Sequence, residues 1–264
     1  MRRVRLGFAN INVEFADRDL ALELIDEWAR RGTGFPKVVY GPEGCGKTAW
    51  LRQSVELLRD YGFEVVYVNP LNKVAIAEIG IAGLREEFLK LVKEAISQSA
   101  IARIAWIAYS IVTDLIKLTR GKVAILVDDA FQVIGIRESA MYVKALLNLI
   151  EYPPEHYERI VTIAATSEGV SLREIGRHSW SDTMPIWNMG REGFRQLYEQ
   201  LPGNKPDFEE AWRLTGGNPR MLERLYGRGW DVDGVIDDII REKGLYRDFV
   251  RKWWDHLREA VDDP

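Results

Sequence analysis

Lys47 and Thr48 close the octapeptide GPEGCGKT at residues 41–48, and two adjacent carboxylates, Asp128 and Asp129, end an apolar run further along the chain. An ammonium, a hydroxyl and two acids are the groups needed to hold a metal-bound polyphosphate and to direct water at it. Glycines at the first and sixth positions of the octapeptide, Gly41 and Gly46, with Gly44 between them, let the backbone curl until its N–H groups point inward at phosphate oxygens. Lys47 is expected to bring its cation to the β- and γ-phosphates, and the Thr48 hydroxyl to ligate Mg²⁺. The helix that starts here adds unpaired N–H groups and the positive end of its dipole. Pro42, Glu43, Cys45 and Ala49 complete the stretch expected to border the nucleotide. A chance glycine-rich turn is the alternative, and the flanks argue against it. Phe35, Val38, Val39 and Tyr40 read as a buried strand before the loop, and Ala49 to Asp60 carries Trp50, Leu51, Val55, Leu57 and Leu58 at helical spacing after it.

The acidic pair follows VAILV at residues 123–127, which reads as a strand buried on both faces of a parallel sheet. Ligands bind at the carboxyl ends of such strands. Asp128 is therefore expected to hold the magnesium shell and Asp129 to polarise the attacking water. A helix cap or a solvated strand end is the other use of such a pair. Ser167, beyond the strand at Ile160 to Ala165, is expected beside the acidic strand end, touching the γ-phosphate or the water; capping the next helix is its alternative.

The elements that must position these groups follow from the hydrophobic pattern. A helix is predicted over Asp19 to Arg31 and strands over Phe63 to Val68 and Met184 to Trp187. A long helical region, Leu84 to Arg120, is broken near Ser97 to Ser99, and a further helix covers Glu138 to Ile150. Five strands separated by helices imply a multilayered parallel α/β core over residues 1–190. Beyond Arg191 only helices are predicted: Glu192 to Gln200, Phe208 to Leu214, Arg220 to Tyr226, Val232 to Glu242 and Tyr246 to Ala260, making a small all-α unit over residues 191–264.

With 264 residues, 47% hydrophobic and 29% charged, the composition is that of a soluble globular chain. A net charge of −4 argues against binding nucleic acid by charge alone, although a local basic patch remains possible. One cysteine, Cys45, excludes an internal disulfide, and three scattered histidines give no metal spacing. The basic start lacks the apolar core of a signal peptide, so a cytoplasmic location is expected. Ile101 to Leu118 is apolar but contains Arg103, Ser110, Asp114 and Lys117, which favours a buried helix, or a surface for a partner, over a membrane span. The nine tryptophans read chiefly as core fillers, with Trp253 and Trp254 as the alternative binding surface.

With the loop, the acidic strand end and TGGNPR at residues 215–220 in view, the chain resembles the archaeal ATPase family of STAND-type P-loop NTPases, relatives of AAA+ proteins. The resemblance covers nearly the whole chain. It implies a three-layer α/β/α P-loop core with a five-stranded parallel sheet, a helical lid, and ATP or ADP with Mg²⁺ as ligands. It places Phe15 and Arg18 of FADRD at the entrance to the adenine pocket. Gly216, Gly217, Asn218 and Pro219 would lie near base and phosphates, with Arg220 as a second sensor; taken alone, GGNP is just a loop and helix start. Arg173 and Arg177 stand where relatives can carry a finger that reaches a neighbour's nucleotide; solvated surface arginines are the alternative. Two departures stand out: Asp129 replaces the usual glutamate, which implies slow turnover, and many relatives continue into a winged-helix or other effector domain. The function expected is Mg²⁺-dependent ATP binding and slow hydrolysis that drives a switch, with a protein partner or self-association. A DNA-associated loader and a scaffold without turnover are the alternatives.

Overall fold

The computed structural model describes residues 3–167 and 169–262. The chain opens with an antiparallel hairpin, β1 (Arg5–Phe8) and β2 (Ile11–Glu14), followed by α1 (Asp19–Arg31). The core then runs β3 (Lys37–Tyr40), α2 (Lys47–Asp60), β4 (Glu64–Asn69), β5 (Val74–Glu78), α3 (Ala82–Ser97), α4 (Arg103–Thr119) and β6 (Lys122–Asp128). It closes with α5 (Phe131–Ile134), α6 (Ile136–Glu151), β7 (Arg159–Thr166), α7 (Gly169–Ile175) and β8 (Asp182–Pro185). Six helices follow: α8 (Arg191–Glu199), α9 (Phe208–Thr215), α10 (Pro219–Gly227), α11 (Val232–Lys243), α12 (Arg247–Lys252) and α13 (Trp254–Asp262).

The sheet order is β5-β4-β6-β7-β3-β8. The five strands from β4 to β8 in that order are parallel, as the pattern predicts, and β5 adds a sixth that runs antiparallel to β4. Alternation along β6 shows how the sequence builds three layers. Val123, Ile125 and Val127 join the cluster under α3, α4 and α6, while Ala124 and Leu126 join the one under α1 and α2. Successive side chains of a strand point to opposite faces, so a strand covered on both sides has to be apolar throughout. On α2, Trp50, Leu51, Val55 and Leu58 are buried, each contributing about 1.5–3 kcal/mol.

Several boundaries differ from expectation. The β1–β2 hairpin and β5 were not predicted as strands. Both are short and partly exposed, so neither carries a long apolar run. The expected strand at 184–187 runs two residues earlier, as an edge strand ending in Pro185, a position that tolerates a missing N–H. The expected last helix is broken at Trp253, and Trp253 and Trp254 are 40% and 58% exposed, so the core-filler reading fails for this pair. The apolar stretch at 101–118 is α4, whose Ile104, Ala108, Ile111, Val112 and Leu115 are buried. Among the described residues no helix is long and apolar enough to cross a membrane.

A third apolar cluster joins the two ends of the chain. Phe8 and Val13 of the hairpin pack with Met189, Phe194, Leu197, Phe208 and Leu222 of the segment leading into α8 and of α8, α9 and α10. The hairpin thus lies against the C-terminal helices.

Candidate nucleotide site

Strand register brings the polar groups to one edge. Asp128 pairs with Ala165 and Tyr40 with Thr166, so the turns leaving β3, β6 and β7 emerge side by side. The loop after β3 is held tightly. A Cβ on Gly41 would lie 1.8 Å from the Ile186 carbonyl oxygen, whose own N–H donates to Tyr40 at 2.7 Å. Gly44, at φ +79°, would put a Cβ 2.2 Å from that of Arg220. Its glycine is required by close approach as well as by backbone conformation.

That approach joins the loop to the start of α10. The Asn218 Nδ2 donates to the Glu43 carbonyl at 3.0 Å, and the Arg220 N–H to the Gly44 carbonyl at 3.3 Å. The Asn218 Oδ1 caps α10, accepting from the N–H groups of Arg220 and Met221 at 3.0 and 3.2 Å, while Pro219 takes the first helical position. One asparagine therefore serves both the helix and the loop. Gly217 is tied in as well, its carbonyl accepting from Met189 N–H at 2.9 Å.

Lys47 opens α2 and is 5% exposed. Its ammonium donates to the carbonyls of Gly41 and Pro42, both at 2.9 Å. Glu43, Gly44, Cys45, Gly46, Lys47, Thr48 and Ala49 line a cleft of about 360 Å³ together with Phe15, Arg18, Asp129, Ser167, Pro219 and Arg220. Of the predicted site residues, Gly41, Pro42 and Asp128 do not line it. Leu6, Phe8, Val13, Met189 and Leu197 form an apolar side that no motif announced.

Asp128 is fully buried. Its Oδ2 accepts from the Tyr67 hydroxyl at 3.0 Å and the Asn69 Nδ2 at 2.8 Å, while Oδ1 has no hydrogen-bond partner. Burial, reinforced by the Asp129 charge, pushes its pKa up to about 6; Thr48, Asn69 and Tyr67 pull the other way. The Thr48 hydroxyl favours the ionised form, although Oδ1 forms no hydrogen bond to it. An orphaned buried carboxylate oxygen beside a hydroxyl fits Mg²⁺, which is usually held by one or two protein oxygens plus phosphates and water. Among the described residues no cluster of three His, Cys, Asp or Glu offers a fuller cage.

Asp129 adopts φ +48°, its N–H donating to the Ala165 carbonyl at 3.0 Å. That left-handed turn is uncommon outside glycine, asparagine and aspartate, and here it separates the directions of two adjacent carboxylates. The Asp129 Oδ1 accepts from Ser167 Oγ at 3.3 Å, and that oxygen accepts from Gln132 Nε2 at 2.9 Å. Burial raises the Asp129 pKa, against the pull of Lys47 and Ser167.

The remaining predicted residues divide. Arg18, at φ +70°, donates to the Cys45 carbonyl and to the Trp187 carbonyl at 2.7 Å, bracing the loop from the side; burial lowers its pKa. Phe15 is buried against the core and borders the cleft. Cys45 is buried, its thiol donating to the Ile186 carbonyl at 3.2 Å, which is a packing role. Arg220 pairs with Glu223 at 3.0 Å. Arg173 and Arg177 lie outside the cleft, and Arg177 pairs with Glu174 at 2.8 Å. Sequence reasoning missed Tyr67 and Asn69. Asn69 ends β4 and is followed by Pro70, and a polar side chain at that strand exit was the available signal.

The family described as an ATPase domain predominantly from Archaea matches residues 15–225. No curated protein matches the sequence significantly. Among solved structures, the chain resembles the Aeropyrum pernix ORC2 protein, determined as ADPNP–ADP complexes, at 15% identity and a TM-score of 0.53. The match covers 84% of this chain and 68% of that one. The ORC1 protein of the same organism, determined in complex with DNA, matches at 16% identity and a TM-score of 0.50, over 86% of this chain and 66% of that one. The chain thus spans about two thirds of each, and at these identities the likeness is one of fold.

Proposed function

The chain belongs to the family of ATPase domains found predominantly in Archaea, and on that premise we propose that it binds ATP with Mg²⁺ and hydrolyses it slowly to switch its C-terminal helices. The observation that carries this reading is the joint between loop and lid. The same loop that would wrap the phosphates accepts hydrogen bonds at its Glu43 and Gly44 carbonyls from Asn218 Nδ2 and the Arg220 N–H at the start of α10.

In this reading Lys47 exchanges the carbonyls of Gly41 and Pro42 for β- and γ-phosphate oxygens, and the loop N–H groups take the rest of the charge. Thr48 and Asp128 would hold Mg²⁺, which supplies neutralisation of the phosphate charge when bound. Asp129 orients the attacking water and accepts its proton, and Ser167 fixes the carboxylate through its hydrogen bond. Asp129 has one methylene fewer than glutamate, so its reach to the water is shorter and turnover slow. Loss of the γ-phosphate relaxes the loop, and Asn218 passes the movement to α10.

Phosphate release from Mg·ATP tests the chemistry. Turnover above background that falls in Asp129→Ala supports hydrolysis; identical rates in the two proteins would leave only a nucleotide-binding scaffold. Small-angle scattering with a non-hydrolysable triphosphate against ADP tests the switch, which requires two distinct profiles. Size-exclusion chromatography with Mg·ATP, repeated with DNA, tests assembly and nucleic-acid contact together.

A further inference from the structure

Four cations line the cleft, and three already have protein partners. Lys47 donates to loop carbonyls, Arg18 to the Cys45 and Trp187 carbonyls, and Arg220 to Glu223. The fourth, Arg52, has no carboxylate within ion-pair distance among the described residues. Its place on α2 is one helical turn beyond Thr48, hence on the same face of the helix. Helical side chains lean toward the N-terminus of their helix, which here is the phosphate loop. Asn72, in the turn after β4, borders the cleft with it, and the Asn72 N–H donates to Asn69 Oδ1 at 2.9 Å, next to the group that holds Asp128. The positive charge of Arg52 is felt at the Tyr67 hydroxyl, the other donor to Asp128. Arg52 thus stands on the acidic side of the cleft.

We propose that Arg52 is the residue that distinguishes a nucleoside triphosphate from a diphosphate, its guanidinium meeting the terminal phosphate from the same chain. This rests on the proposed nucleotide site. A planar guanidinium suits a phosphate because it offers two parallel donors, and an uncommitted one has no ion pair to break first. The contact exists with ATP and is lost with ADP, so it makes triphosphate occupancy legible to the protein without help from a neighbouring subunit.

The test is the affinity of the full chain for Mg·ATP and Mg·ADP, measured by titration calorimetry on wild type, Arg52→Ala and Arg52→Lys. Arg52 is exposed, so the variants are expected to fold as wild type does. The expected result is an ATP affinity lower by about tenfold or more in Arg52→Ala, the equivalent of about 1.4 kcal/mol. ADP affinity stays within twofold, and Arg52→Lys recovers part of the loss. Equal losses for both nucleotides, or no loss for either, would overturn the assignment while leaving the nucleotide site intact. A wild-type chain that binds neither nucleotide would overturn the site and Arg52 with it.

Discussion

The two sides of the cleft are built by opposite means. The phosphate side is made of backbone carbonyls and N–H groups, short polar side chains and strand ends, and its main parts sit within eight consecutive residues and one strand terminus. The rest of the lining includes an apolar group, Leu6, Phe8, Val13, Met189 and Leu197, drawn from the N-terminal hairpin and from the segment running into α8. Phosphate recognition needs fixed directions, which a contiguous loop between strand and helix supplies. An apolar wall needs only area and shape, which remote segments can supply through packing. Both meet the C-terminal helices, the first through Asn218 and Arg220 and the second through Met189 and Leu197.

That contrast can be broken at either side. The largest effect is expected from Lys47→Ala, which should lower ATP affinity about 100-fold by removing charge-assisted contacts and abolish phosphate release. A variant retaining wild-type binding in a calorimeter would remove the phosphate side from the picture. Phe8→Ala should cost about 3 kcal/mol of stability in chemical denaturation by opening the cluster between the hairpin and the C-terminal helices, and should weaken ATP and ADP equally. A selective loss of ATP binding would contradict the division between the two sides.

Asp128→Asn separates binding chemistry from stability. Burial raises the Asp128 pKa from 3.8 to about 6, so the folded protein holds this proton more tightly than the unfolded chain. The associated stability is present below pH 4 and is lost as pH rises through about 6, a difference of about 3 kcal/mol. Without nucleotide or metal, the isosteric amide should therefore melt higher than wild type at pH 8 and equal to it near pH 4, while losing Mg²⁺-dependent turnover. A wild type more stable than the variant at pH 8 would refute the cost assigned to this buried charge. The smallest effect is expected from Asn218→Ala. Loss of the cap should cost about 1 kcal/mol and accelerate nucleotide release, read by stopped-flow with a fluorescent analogue. An unchanged release rate would show that the loop and α10 are not coupled through this side chain.

The same contrast explains what was legible in the sequence. The octapeptide, the acidic strand end and the five parallel strands announce themselves because each is a local pattern with one physical purpose. The antiparallel β5 is partly exposed, so alternation there is weak. The β1–β2 hairpin turns at Ala9 with φ +49°, a conformation no residue type signalled. Its role depends on contacts with α8, α9 and α10, far along the chain. Tyr67 and Asn69 show the same limit. A tyrosine and an asparagine in a strand are unremarked until the sheet order sets β4 beside β6 and their donors meet Asp128. Pairing across a parallel sheet is set by tertiary structure, and a single sequence does not record it.

The most direct test of the central claim is the binding of ATP to the wild-type chain with Mg²⁺ and with EDTA, set beside Lys47→Ala under the same conditions. If the glycine loop, Lys47, Thr48 and Asp128 form one metal-dependent triphosphate site, wild type binds ATP tightly, EDTA weakens it, and Lys47→Ala removes most of the binding. Affinity indifferent to both the metal and Lys47 would contradict that site.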